Sequence, residues 1–258
     1  MPYQFELETA IAIARKAGEL ALSHFSRKTE TFEKADHSPV TVADQECERL
    51  ISRLLSESCP GDGILGEEGS KSTAPYTCRW IIDPLDGTTN YTYGYPLFGV
   101  SIALEKQGEI TLGVVYNPIL DELFIAEKGS GACLNGIPIH VTDTNELGKS
   151  LLASGFPYDA WVEPRNNCNE WEHFIKTTIS VRCDGSAALD LCHTACGRLD
   201  GYWELDLESW DMAAGALIVQ EAGGLVTQAD GKPFSHLQRS VLASNGLLHQ
   251  AMLNVLKR

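Results

Sequence analysis

Residues 80–90 read WIIDPLDGTTN, an apolar run that stops at Asp83 and supplies a second acid, Asp86, three residues later. An abrupt ending in carboxylate is what a buried strand shows when it delivers side chains to a site at the edge of a sheet. Pro84 fixes one backbone angle and Gly87 admits close approach, so both carboxylates and the Leu85 carbonyl can converge on one point. Hard divalent cations such as Mg²⁺ favour that all-oxygen environment. Read alone, the segment is equally an ordinary Asp-Gly turn after a strand.

Two other segments end or begin in acid. Gly66-Glu67-Glu68-Gly69 follows the short apolar pair Ile64-Leu65, and by itself reads as a solvated loop. Trp210-Asp211-Met212-Ala213-Ala214-Gly215 opens a helix, where Asp211 alone would be a first-turn acid complementing the helix dipole. The small residues after it permit a backbone or ligand to come close.

The apolar spacing predicts amphipathic helices over residues 5–25 and after Asp44, the second ending at the PGDG turn of residues 60–63. From Phe98 to Val141, short apolar runs separated by turn signals predict an antiparallel meander. The second half alternates strands near 150–156, 202–204, 225–227 and 240–243 with helices over 169–180, 186–196, 209–222 and 247–256. A mixed α/β layered fold follows, with helices on both sides of sheets. The softest boundary lies near residues 142–150, dividing halves 1–145 and 146–258 that can equally count as one compact domain.

Twenty Lys and Arg against 35 Asp and Glu leave a net charge of −15, the wrong sign for neutralising nucleic-acid phosphates or an anionic membrane. Neither partner is expected. No window approaches a membrane span, and the start MPYQFELETA has no basic or apolar leader region, so a cytoplasmic location is expected. The eight scattered cysteines contain no C-x-x-C pair and are expected to be reduced. The seven histidines are dispersed without H-E-x-x-H, which gives a zinc site weak support. Gly148-Lys149-Ser150 looks like the end of a P-loop, but Asp143 stands where its first glycine is required.

Taken together, GEEG at 66–69, WIIDPLDGTTNY at 80–91 and WDMAAGALIVQEAGG at 210–224 resemble the inositol monophosphatase family, within the wider Mg²⁺-dependent, lithium-sensitive phosphatases that include fructose bisphosphatases. The resemblance spans nearly the whole chain. It implies a layered αβαβα sandwich and a homodimeric phosphomonoesterase using two or three Mg²⁺ ions per site. At matching positions, Glu67, Asp83 and the Leu85 carbonyl would hold one ion, and Asp83, Asp86 and Asp211 a second; Glu67 would also contact a weaker third ion through water. Gly87 and Thr88 would offer backbone N–H groups to phosphate, and the Thr88 hydroxyl, paired with Asp44, would orient and help deprotonate the attacking water. Lys34 matches the family's lysine-bearing mobile loop. Helix N-termini at Gly185-Ser186 and near Asp211 would add partial positive charge toward the same pocket.

For the substrate, Glu204 matches the family position that accepts hydrogen bonds from inositol hydroxyls, and Gly185, Ser186 and Ala187 match the adjacent pocket wall. An acid there suits a neutral polyol or an amine and repels a second phosphate. Myo-inositol 1-phosphate is therefore the expected substrate, with histidinol phosphate as the alternative. Nucleotide 3′-phosphatase and fructose bisphosphatase activities are weaker options, because no Arg or Lys cluster accompanies Glu204 in the sequence. A partner-binding regulatory protein that keeps the fold is a third reading, and the intact acid set argues against a dead enzyme.

Overall fold

The computed structural model describes residues 3–25, 31–33, 39–72 and 77–257 of the chain. Helices α1 (Gln4–Phe25) and α2 (Val42–Ser58) flank the small antiparallel pair β1 (Thr31–Glu33) and β2 (Pro39–Thr41). A seven-stranded sheet follows, from β3 (Gly63–Gly66), β4 (Cys78–Asp86), β5 (Gly99–Lys106), β6 (Glu109–Asn117), β7 (Glu122–Glu127), β8 (Ala132–Leu134) and β9 (Ile137–Pro138), in that spatial order. β3 and β4 run parallel; every later neighbour is antiparallel, which is the expected meander. The short helix α3 (Thr88–Thr92) interrupts it after β4.

The second sheet has the order β11-β10-β12-β14-β13, built from β10 (Leu151–Ser154), β11 (Ser180–Arg182), β12 (Gly201–Leu205), β13 (Leu225–Thr227) and β14 (Ser240–Ser244). Its helices are α4 (Cys168–Ile175), α5 (Ala187–Ala195), α6 (Ser209–Glu221) and α7 (His249–Leu256). α4 stops short of the expected residue 180. The Thr177 and Thr178 hydroxyls bond back to the carbonyls of His173 and Phe174, at 2.9 and 2.8 Å, and the chain then extends into β11.

Strand alternation assigns each sheet face its helices. Trp80 and Ile82 point to one side of β4, where they pack with Leu7, Ile13, Ile51 and Leu55 of α1 and α2. Ile81 points to the other, into a core shared with α5, α6, Tyr202, Val241 and Ala243. Trp203 and Leu242, on the opposite face of the second sheet, pack with Phe174 of α4 and with Met252 and Leu253 of α7. The layers are therefore α1/α2, sheet, α5/α6, sheet, α4/α7, the αβαβα sandwich that the resemblance implied. Sandwiched between two sheets, α6 is apolar nearly all round, burying residues 212–219 without interruption. The seven-stranded sheet comes from residues 63–138 and the five-stranded one from 151–244. α5 and α6 join them.

All eight cysteines are free thiols. No helix among the described residues is long and apolar enough to cross a membrane.

Candidate active site

The end of β4 is shaped by a bulge. Asp83 pairs with Ser101 and Asp86 with Gly99, so Pro84 and Leu85 together oppose the single residue Val100. Placing Pro84 in the bulge removes the need for the amide hydrogen it lacks. The Leu85 amide instead donates to Asp83 Oδ1 at 2.9 Å, fixing that carboxylate against its own turn. Gly87 then takes φ of 102°, and a Cβ there would stand 3.1 Å from the carbonyl oxygens of both Gly185 and Leu97. Conformation and close approach both demand glycine.

Around this turn lies a cavity of about 400 Å³ lined by Glu67, Asp83, Leu85, Asp86, Gly87, Thr88, Glu204 and Asp211. The family resemblance implied one site for all eight. Asp44 stands behind Thr88, whose hydroxyl lies 2.8 Å from Asp44 Oδ1 and 3.1 Å from the Leu85 carbonyl. Asp44 Oδ2 accepts from the Thr41 amide at 2.8 Å and from its hydroxyl at 2.5 Å, closing a capping box that starts α2. One carboxylate thus anchors a helix and holds the Thr88 hydroxyl. Lys34 lies outside the described residues.

Gly185, Ser186 and Ala187 meet the site through Asp86. The Ser186 hydroxyl donates to Asp86 Oδ2 at 2.5 Å, and the Ala188 amide donates to the same oxygen at 2.8 Å. Ser186 occupies the N-cap position of α5 but does not cap it; Asp86, a hundred residues earlier, does so. The partial positive charge expected of this helix start is met by Asp86, because a carboxylate held close to free N–H groups satisfies both. Asp211 also has a local task. Its Oδ2 accepts from the Glu208 amide at 2.7 Å in the capping box that opens α6.

Several supporting residues went unseen in the sequence. Glu48, 3% exposed, accepts from the amides of Glu68 and Ser70 at 2.6 and 2.7 Å and so fixes the loop carrying Glu67. A Cβ at Gly66 would lie 2.5 Å from Glu48 Oε2, which explains the glycine. The available signal was the spacing: Asp44 and Glu48 are four residues apart, both on the buried face of α2. Phe156, Tyr158, Trp210 and Arg239 also line the cavity. Asn167 ties the segment bearing Phe156 and Tyr158 to β12, donating to the Gly155 carbonyl at 2.6 Å and accepting from Trp203 Nε1 at 2.7 Å. Arg239 is engaged at the rim by Asp206, at 2.8 Å, and by Glu208. A tight group of Asp184, Asp190 and His193 was missed as well; its signal was the three-residue spacing on one helix.

The acids of the cavity repel one another. Burial raises the Asp83 carboxyl well above its usual range, and the charges of Glu67, Asp86 and Asp211 raise it further. Asp211 is raised by burial and by Glu67 and Asp86. Burial lifts Asp86 to about 6 although the α5 cap works against it. No Lys or Arg is among the dominant influences on these three. A set of buried hard oxygen donors that repel one another suits a divalent metal ion, which Glu67, Asp83, the Leu85 carbonyl, Asp86 and Asp211 could hold.

Burial also lifts Glu204 from its ordinary 4.5 to about 7. The folded chain therefore holds a proton there that the unfolded chain releases, and stability falls as pH rises through that window. In metal-free thermal unfolding, Glu204→Gln should match the wild type below the ordinary 4.5 and exceed it above about 7. Comparing one variant with its parent cancels the opposite contributions of His193, His236 and His249, whose proton affinity burial lowers. An equal difference at both ends of the range would contradict the assignment.

An acid-lined cavity in a five-layer sandwich, with a hydroxyl held by a buried aspartate beside it, is the arrangement that the family resemblance implied. The chain belongs to the inositol monophosphatase family, whose model matches residues 3–258, and it is an enzyme of that phosphatase family. An inositol-1-monophosphatase of Synechocystis is 44% identical over 252 residues, covering 97% of this chain and 88% of its own. The solved inositol monophosphatase of Anabaena superposes with a TM-score of 0.91 at 41% identity, covering 100% of this chain and 97% of that one. A Pseudomonas aeruginosa relative named Nus factor SuhB is 39% identical over 260 residues, covering 97% of this chain and 95% of its own.

Proposed function

We propose that this chain hydrolyses myo-inositol 1-phosphate, and related polyol phosphates, in a Mg²⁺-dependent reaction that yields the alcohol and inorganic phosphate. The observation that carries the reading is that the acids Asp83, Asp86, Asp211 and Glu67 line one cavity with Glu204, and that burial and mutual repulsion raise the Asp83 and Asp211 carboxyls. Bound Mg²⁺ would supply positive charge to the phosphoryl and leaving oxygens and make water a better nucleophile near neutral pH. The chain's own groups do the rest. The Thr88 hydroxyl, held by Asp44, orients the attacking water and passes its proton toward the aspartate. Gly87 and Thr88 amides receive phosphate oxygens at the start of α3, and the Gly185–Ala187 segment, outside the cavity lining, acts on the pocket through the Ser186 hydroxyl that holds Asp86. The homodimer and the lithium sensitivity implied by the resemblance, and the cytoplasmic setting expected from the sequence, belong to the same proposal.

Glu204 selects the alcohol. Its carboxylate accepts hydrogen bonds from ring hydroxyls, and Tyr202 donates to it from behind, fixing its direction. Glu204→Gln should raise KM for inositol 1-phosphate by roughly tenfold, the order of one lost charge-assisted hydrogen bond, while leaving kcat nearly unchanged. Steady-state phosphate release checks this. A preserved KM would remove Glu204 from the site, and a higher kcat/KM for histidinol phosphate than for inositol 1-phosphate would favour the amine substrate.

The name of the Pseudomonas relative supports a second reading, in which the chain also works by binding a partner. A metal-ligand variant without phosphatase activity that still supplied the cellular role would favour it.

A further inference from the structure

Asp184, Asp190 and His193 bring two carboxylates and an imidazole together apart from the acids assigned above, with one ligand atom of each lying within 4.8 Å of the others. Asp190 is 2% exposed and its Oδ1 meets no hydrogen-bond donor; the His193 Nε2 is likewise shut off from solvent and without a partner. A buried carboxylate oxygen and a buried ring nitrogen left unpaired each carry a desolvation cost, so the arrangement calls for a shared cation or proton. The charges bearing on Asp190 are those of other acids, Asp184, Glu204 and Asp86. Burial lowers the proton affinity of His193, and the Arg198 charge lowers it further, which favours the neutral form in which imidazole ligates metal.

Asp190 and His193 sit three apart on α5, on one face of the helix, and Asp184 enters from the loop before it. Two donors on one ion, each with a bond of about 2.1 Å, stand at most about 4.2 Å apart. Closing the cluster from 4.8 Å therefore takes a movement of less than about an ångström. We propose that Asp184, Asp190 and His193 form a second metal site, which takes a divalent transition ion of the Zn²⁺ type. The imidazole is what separates it from the all-oxygen cavity, since nitrogen ligation favours Zn²⁺ over Mg²⁺.

The site is structural, and its position gives it a task. The Asp184 carbonyl accepts from Asn90 Nδ2 at 2.7 Å, the Asp190 amide donates to the Ser186 carbonyl at 2.9 Å, and the Ser186 hydroxyl holds Asp86. An ion bridging Asp184 to Asp190 and His193 ties the pocket wall to α5 and stiffens the cap that Asp86 supplies.

The test is equilibrium dialysis of the full chain against Zn²⁺ in saturating Mg²⁺, counting zinc per chain in the wild type and in Asp83→Asn, Asp190→Asn and His193→Gln. The wild type and Asp83→Asn should each retain one Zn²⁺, while Asp190→Asn and His193→Gln should each weaken its binding by at least about tenfold. Asp190→Asn keeps the side-chain shape and removes a buried charge, and a cooperative thermal transition verifies that each variant is folded. Zinc held as tightly by either variant, or lost in Asp83→Asn, would overturn the proposal. So would a wild type that retains none, leaving a shared proton between Asp184 and Asp190 as the account. Because the readout is metal content, failure of the phosphatase reading would leave this result intact.

Discussion

Replacing Asp83 with asparagine is expected to lower kcat for phosphate monoesters by on the order of a thousandfold, while making the metal-free protein more resistant to heat. The two effects have one cause. Asp83 is 2% exposed and is the acid on which Glu67, Asp86 and Asp211 all act, so its charge is costly until a cation offsets it. An amide of the same shape removes that repulsion and also removes the donor proposed to bridge two ions. Thermal unfolding with and without Mg²⁺ should show a rise on adding metal to the wild type and almost none for Asp83→Asn. A variant that kept wild-type turnover, or gained as much heat resistance from Mg²⁺, would contradict the assignment.

The second large effect concerns Thr88. Its hydroxyl is the group poised between Asp44 and the Leu85 carbonyl, so Thr88→Ala should lower kcat by about a hundredfold to ten-thousandfold, the range for lost acid–base assistance, with little change in KM. Removing the hydroxyl also leaves Asp44 Oδ1 without that donor, at a cost of about 1–3 kcal/mol in stability. Thr88→Ser separates the two roles from mere packing: it keeps the hydroxyl and should recover most of the activity. Comparable kcat values for the alanine and serine variants would mean that the hydroxyl takes no part in the chemistry.

Much of this was readable in the sequence because it is local. The alternation of Trp80, Ile81 and Ile82 already predicts a strand buried on both faces, and the structure places helices against each. The acids Asp83 and Asp86 are separated by a proline and precede a glycine, a pattern that a bulge and a left-handed turn require. What escaped is the pairing of distant segments. Nothing near Asp86 shows that it caps a helix starting at residue 187, and nothing near Ser186 shows that its hydroxyl turns away from that helix. Nothing near Glu48 shows that the fold buries it against the amides of Glu68 and Ser70, about twenty residues further along. Such contacts are set by how the layers stack, and single-segment periodicity carries no information about that.

The net charge of −15 also takes on a definite meaning. Glu67, Asp83, Asp86 and Asp211, the acids proposed to hold metal, line the cavity, where two divalent ions would cancel their charges before an anionic ester arrives. The measurement that tests this most directly is phosphate release from myo-inositol 1-phosphate by the wild type as Mg²⁺ is titrated into chelator-treated protein. The account predicts negligible release without metal and saturable, Asp83-dependent release as Mg²⁺ is added; turnover that persists undiminished in chelator would contradict it.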